Sequence, residues 1–173
     1  MTKMTREELI ETVEKYRPTV FRVAFGYTGN YEDSEDISQD VFLKLYQTDK
    51  NFKDEEHKKA WIIRVTINAA KSLLRTSWRV KRADMPTEDV PYYSDTADSE
   101  LFDCVMRLTE KYRTVVYLYY YEDYSVEQVA KIVGISRTAV TTRLARAREQ
   151  LKKTYTNNEK EGIINERRCF ESL

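Results

Sequence analysis

Apolar residues recur along much of this chain at spacings of three and four, the period of a helix buried along one side. Residues 5–27 carry that pattern, with a break predicted near Pro18 because proline opens a helix but interrupts one from within. "TGNYEDSED" reads as a turn followed by an acid-rich helix start, suited to the positive end of a helix dipole. That helix is predicted to run to about Gln47, with Ile37, Val41 and Leu45 four apart on one face. "TDKNFKDEE" reads as a loop, and residues 58 to about 82 as the most regular helix of the chain. Its buried arc comprises Ile62, Ile63, Val65, Ile67, Ala69, Ala70, Leu73 and Leu74. Helical pattern returns at about Leu101 and continues to Tyr121, with Val115, Val116, Leu118 and Tyr119 as its apolar face.

Composition agrees with helices. Among 173 residues there are only 4 Gly and 3 Pro, too few for a turn-rich β architecture. The segment "MPTEDVPYYSDTADSE" holds two of the prolines, only acidic charge and no periodicity, and so reads as a linker. The expected fold is all-α: two small helical domains, residues 1–82 and 104–155, joined by a flexible acidic linker at 83–103 and followed by a polar tail at 156–173. The N-terminus has no apolar leader and no run approaches a membrane span, which implies a cytoplasmic protein. Cys104 and Cys169 stand far apart with no partner at metal-ligand spacing, so they read as two unrelated thiols, with no metal or cofactor expected.

The formal net charge of +0 conceals segregation. From Tyr31 to Glu56 nine acids face three lysines, whereas from His57 to Arg82 there are eight Lys/Arg and no acid. From Asp84 to Asp103 there are seven acids and no base, and from Gly134 to Thr154 six bases against Glu149 alone. Such blocks imply two basic surfaces for a polyanion and an acidic surface for something else.

The stretch "VAKIVGISRTAVTTRLARAR" identifies one basic surface. Ser125 is a good N-cap with Gln128 as its capping-box partner, and Gly134 fits a left-handed helix end. Ser136 caps a second helix on which Val140, Leu144, Ala147 and Leu151 form one apolar stripe. Its remaining arc carries Arg137, Thr138, Thr141, Thr142, Ala145 and Arg146. This is a helix-turn-helix whose second helix suits a major groove, small residues approaching base edges and arginines reaching guanine or phosphate.

On the helix after residue 58, Arg64, Asn68, Lys71, Arg75 and Arg79 form one acid-free polar ridge. Cations for phosphates and an amide for an unstacked base suit a single strand. Trp61 is expected to anchor the core, while Trp78 lies nearer the ridge. On the preceding helix Asp33, Asp36 and Asp40 oppose the apolar stripe, with Gln39 and Leu43 beside them. An exposed leucine framed by acids suits protein docking first and a plain solvated face second; a metal is a distant third, because these acids sit on one exposed helix with no histidine and no converging partner.

"DSEDISQDVFLKLY", "AWIIRVTINAAKSLLR" and "LTEKYRTVVYLYYYEDYSVEQVAKIVGISRTAVTTRLARAREQLKK", in that order, resemble bacterial RNA polymerase sigma factors of the short extracytoplasmic-function (ECF) group in the sigma-70 family. The resemblance implies a sigma region 2 bundle and a sigma region 4 helix-turn-helix, with no catalytic activity. By the same resemblance Asp33, Asp36, Gln39, Asp40 and Leu43 would dock on the polymerase β′ clamp helices, the β flap being a further polymerase contact. Asn68 falls near the pocket for a flipped −10 base, with Arg64, Lys71, Arg75 and Arg79 along the strand. Arg137, Thr138, Thr141, Thr142, Ala145, Arg146 and Arg148 would serve the −35 duplex, Arg137, Arg143 and Arg148 as phosphate or structural partners. Promoter DNA, core polymerase and an anti-sigma factor are the implied partners. The chain departs from the family's pattern at "EDYS", where glycine is common, although Asp123 tolerates a left-handed backbone. Two other readings remain at this stage. A dimeric helix-turn-helix regulator explains the ridge poorly, and a protein-only adaptor leaves both basic surfaces unexplained. One histidine and no Gly-rich loop argue against an enzyme.

Overall fold

The structure, a computed structural model, describes residues 4–77 and 99–160, with side chains described over 4–76 and 103–154. Trp78, Arg79, Cys169 and most of the segment read as a linker lie outside the described residues. Every regular element among the described residues is helical. The chain divides into two compact units, the first holding α1 to α3 and the second α4 to α7.

In the first unit α1 spans Arg6–Thr28, α2 Tyr31–Gln47 and α3 Glu55–Ser77, and the three pack against one another. Thr5 opens α1 with a capping box: Glu8 N–H donates to the threonine Oγ1 at 3.2 Å, and Thr5 N–H donates to Glu8 Oε2 at 2.8 Å. The predicted break at Pro18 does not occur, and α1 runs through it. Proline there removes one helical hydrogen bond, at a cost of about 3 kcal/mol. Burial of Tyr16 before it and of Val20, Phe21, Ala24 and Phe25 after it offsets that cost, because both halves must face the same core. Gly29, at φ 60°, ends α1, and Asn30 caps α2 by accepting from Asp33 N–H at 2.9 Å. The core is completed by Ile37, Val41 and Leu45 from α2 and Ile62, Ile63, Ile67 and Ala70 from α3. Helix α3 begins at Glu55, before the expected start at residue 58, because Asp54 caps it by accepting from His57 N–H at 2.7 Å.

In the second unit the single helix predicted from Leu101 to Tyr121 is three pieces: α4 (Ser99–Met106), α5 (Glu110–Val116) and a π-helical turn, Tyr117–Tyr121. Helix α4 therefore starts inside the 83–103 stretch read as linker. Arg113 holds the α4–α5 corner by donating from Nη1 to the Met106 carbonyl at 2.6 Å, a group left over at a helix end. Tyr119, expected on the apolar face, is only half-buried, since the wider π turn rotates it outward. Asp123 adopts φ 55°, the left-handed backbone needed to leave the π turn. Helices α6 (Val126–Val133) and α7 (Arg137–Lys160) follow, and α7 packs against α4, α5 and α6. Cys104 is buried and not in a disulfide. No helix among the described residues is long and apolar enough to cross a membrane.

Candidate nucleic-acid interfaces

The helix-turn-helix forms as its sequence predicts. Ser125 accepts from Gln128 N–H at 3.2 Å and donates its own N–H to Gln128 Oε1 at 2.9 Å. Gly134 sits at φ 76°, and the N–H groups of Gly134 and Ile135 both donate to the Ala130 carbonyl, at 2.9 and 3.1 Å. Ser136 Oγ accepts from Ala139 N–H at 3.1 Å and starts α7. Val140, Leu144, Ala147 and Leu151 are all buried. Fixed by that stripe, α7 exposes Arg137, Thr138, Thr141, Thr142, Ala145 and Arg146 together. The Thr141 hydroxyl donates back to the Thr138 carbonyl at 2.9 Å, so it offers an outside partner its lone pairs and its methyl group. Arg148 is also exposed, and its Nε donates to the Tyr120 hydroxyl at 2.7 Å, with the guanidinium 5.7 Å from the Tyr120 ring. Tyr120, within the tyrosine-rich run Tyr117–Tyr124 that the sequence suggests packs with its hydroxyls at the surface, thereby ties the π turn to α7.

In the first unit Arg64, Asn68, Lys71 and Arg75 are all exposed on α3, opposite buried Ile62 and Thr66. Arg79 lies outside the described residues. Trp61 is a correction. It is half-buried and not a core anchor, because residues 61, 64 and 68 are spaced three and four apart and share the ridge side of α3. The α2–α3 loop packs on it: the Phe52 ring meets Trp61 edge-on at 5.5 Å and His57 at 5.7 Å, and Lys50 Nζ lies 6.0 Å from the Trp61 ring. The ridge is thus continued by an aromatic cluster that helical periodicity on α3 alone could not reveal, since Phe52 comes from the loop.

The start of α3 is held by charge. Glu55 Oε1 accepts from Tyr16 Oη at 2.6 Å and from Lys15 Nζ at 3.0 Å, and Lys58 Nζ approaches Oε2 at 2.9 Å. The tyrosine hydrogen bond, followed by the two lysines, holds the Glu55 carboxyl down at about 2 against the opposing effect of partial burial.

On α2, Asp36, Gln39, Asp40 and Leu43 are exposed and Asp33 is half-exposed, opposite buried Ile37, Val41 and Leu45. Leu43 is 54% exposed, one helical turn after Asp40 on the same side of α2. Tyr46 joins this face. Glu35 does not, because it is drawn to Arg17 of α1 at 2.9 Å.

Both units match known proteins in sequence and fold. Residues 12–80 match the family model "Sigma-70 region 2" and residues 99–151 match "Sigma-70, region 4". The chain is 27% identical to the RNA polymerase sigma factor SigV of Bacillus subtilis over 149 residues, covering 83% of this chain and 88% of that protein. It is 30% identical to SigZ of the same organism over 127 residues, 68% of this chain and 70% of that protein. Its fold matches the sigma factor RpoE of Bartonella quintana, solved in complex with the anti-sigma factor NepR, at a TM-score of 0.73 and 19% identity, covering 87% and 98% of the two chains. The chain accordingly belongs to the ECF group of the sigma-70 family: it is an RNA polymerase sigma factor, a transcription initiation factor and not an enzyme.

Proposed function

We propose that the two units divide promoter recognition between single-stranded and duplex DNA. The first unit docks on the polymerase β′ clamp helices through Asp33, Asp36, Gln39, Asp40 and Leu43, burying an apolar side chain beside a row of carboxylates. Docking places α3 beside the −10 element. There Arg64, Lys71 and Arg75 meet phosphates of the non-template strand, Asn68 reads an extruded base by donating and accepting, and Trp61 with Phe52 offers a stacking surface. Opening the duplex costs a few kcal/mol per base, which phosphate contacts and captured bases offset. The second unit reads the −35 element as duplex through α7 and meets the β flap. Arg146 and the threonines face base edges, while Arg137 and Arg148 lie toward the backbone. An anti-sigma factor covering these surfaces would keep the protein silent in the cytoplasm, where its polymerase works.

The observation that carries this reading is the exposed, acid-free row Arg64–Asn68–Lys71–Arg75 in the same unit as the exposed leucine beside carboxylates, with a helix-turn-helix in the other. Run-off transcription with purified bacterial core polymerase on a promoter-fragment library tests it. New start sites are expected only when the protein is present, and they are expected to vanish with Asp36→Arg. Tight binding to duplex DNA without polymerase, and no new starts, would overturn it.

A further inference from the structure

Helix α7 presents more than one surface. At about 100° per residue, the buried stripe leaves Thr138, Thr142 and Ala145 pointing directly away from the core. Thr141 and Arg148 fall on one flank, and that flank is held to the π turn by the Arg148–Tyr120 hydrogen bond. Arg143 and Arg146 fall toward the other. This second flank meets the first turn of α5, and an open groove lies between them, lined by Lys111, Ser136, Thr138, Thr142, Arg143 and Arg146 among others. Three cations line it and no acid does. Lys111 Nζ lies 5.0 Å from the centroid of the adjacent Tyr112 ring, whose buried body fixes where the ammonium sits.

We propose that this groove holds a backbone phosphate of duplex DNA and that Lys111, on α5 and outside the helix-turn-helix, is a DNA-contacting residue. The inference rests on reading α7 as the duplex-reading helix. A helix in a major groove has bases in front of it and phosphates along both flanks. Side chains across the front of its exposed arc, from Thr141 on one side to Arg146 on the other, therefore meet base edges, and those farther round the helix meet phosphates. Lys111 supplies a point charge at one flank, with the Thr142 and Ser136 hydroxyls beside it as donors. A contact of this kind adds affinity without sequence preference.

The test uses the full-length protein assembled with core polymerase, on a duplex that the wild-type holoenzyme selects from a randomised pool. Lys111→Gln is expected to weaken binding about three- to tenfold at fixed salt and to flatten the plot of log affinity against log salt by about 0.9. The same loss is expected on duplexes with altered −35 bases, whereas the loss from Arg146→Ala should depend on the base. Lys111→Arg, which keeps the charge, is expected to restore the slope. A weaker affinity with an unchanged slope would mark Lys111 as a packing residue and overturn the proposal. An unchanged affinity for Lys111→Gln, with Arg146→Ala still defective, would overturn it and leave the duplex reading of α7 intact. If the wild-type holoenzyme selects no duplex at all, the duplex reading fails and the proposal fails with it.

Discussion

Helices α3 and α7 both present basic residues on one side and aliphatic residues on the other, yet they differ in what lies between the cations. On α3 the row runs Arg64, Asn68, Lys71, Arg75, long side chains in a single line and continued by Trp61. On α7 the exposed arc is mostly short: Thr138, Thr141, Thr142 and Ala145, with Arg137 and Arg146 at its ends. Long cations in a line hold a flexible strand at a distance and let its bases turn toward an amide or a ring. Short side chains let the helix backbone come close to a rigid groove, where the base edges lie deep. A cationic helix face can therefore suit either of two nucleic-acid conformations, and the residues between the charges decide which.

That contrast can be broken at several places. The largest effect is expected from Phe21→Ala, which empties a fully buried ring stacked 5.9 Å from Phe25 and should destabilise the first unit by about 3–5 kcal/mol. Hydrogen exchange should then accelerate across α1 to α3 while amides of α6 and α7 keep their protection, because each unit has its own core. Next come Asn68→Ala and Arg146→Ala, each expected to cost about 1–3 kcal/mol of promoter affinity. Gel-shift titration should assign the Asn68 loss to forked DNA with an exposed −10 strand and the Arg146 loss to the −35 duplex.

Smaller effects sharpen the scaffold. Gly134→Ala should cost about 1 kcal/mol in urea unfolding, and the cost is backbone strain alone, since an added Cβ meets nothing within 4 Å at φ 76°. Tyr16→Phe removes the main contact that lowers the Glu55 pKa to about 2 from the ordinary value of 4.5. A carboxylate favoured in the folded state stabilises fully above about 4.5, and the benefit fades as pH falls towards 2. With Glu55 half-exposed, solvent screening limits the expected loss to about 1 kcal/mol at pH 7. The gap between wild type and variant should narrow as melting is repeated at falling pH and close near pH 2.

Much of this was legible in the sequence because it is local. Ser125, Gly134 and Ser136 announce their caps within three or four residues, and the stripes of α2 and α7 repeat with the helical period. What was not legible depends on partners distant in the chain. Pro18 stays inside α1 because α2 and α3 cover the helix on both sides of it. The corner after Met106 is secured by Arg113, seven residues on, and apolar periodicity carries no sign of it. Phe52 reaches Trp61 from a loop, Glu55 reaches back to Lys15 and Tyr16, and Lys111 comes to line one groove with Arg146 only once α5 packs on α7. Site side chains on one helix can be read from spacing; sites shared between elements need the fold.

The division of labour is tested most directly by footprinting a single promoter with holoenzymes carrying Asn68→Ala or Arg146→Ala, using permanganate for unpaired −10 thymines and DNase I for the −35 duplex. The expected result is that Asn68→Ala loses permanganate reactivity but keeps −35 protection. Arg146→Ala should lose −35 protection yet still hold a pre-opened −10 strand. Equal loss of both signals in both variants, or loss in the opposite pairing, would contradict a split between strand capture on α3 and duplex readout on α7.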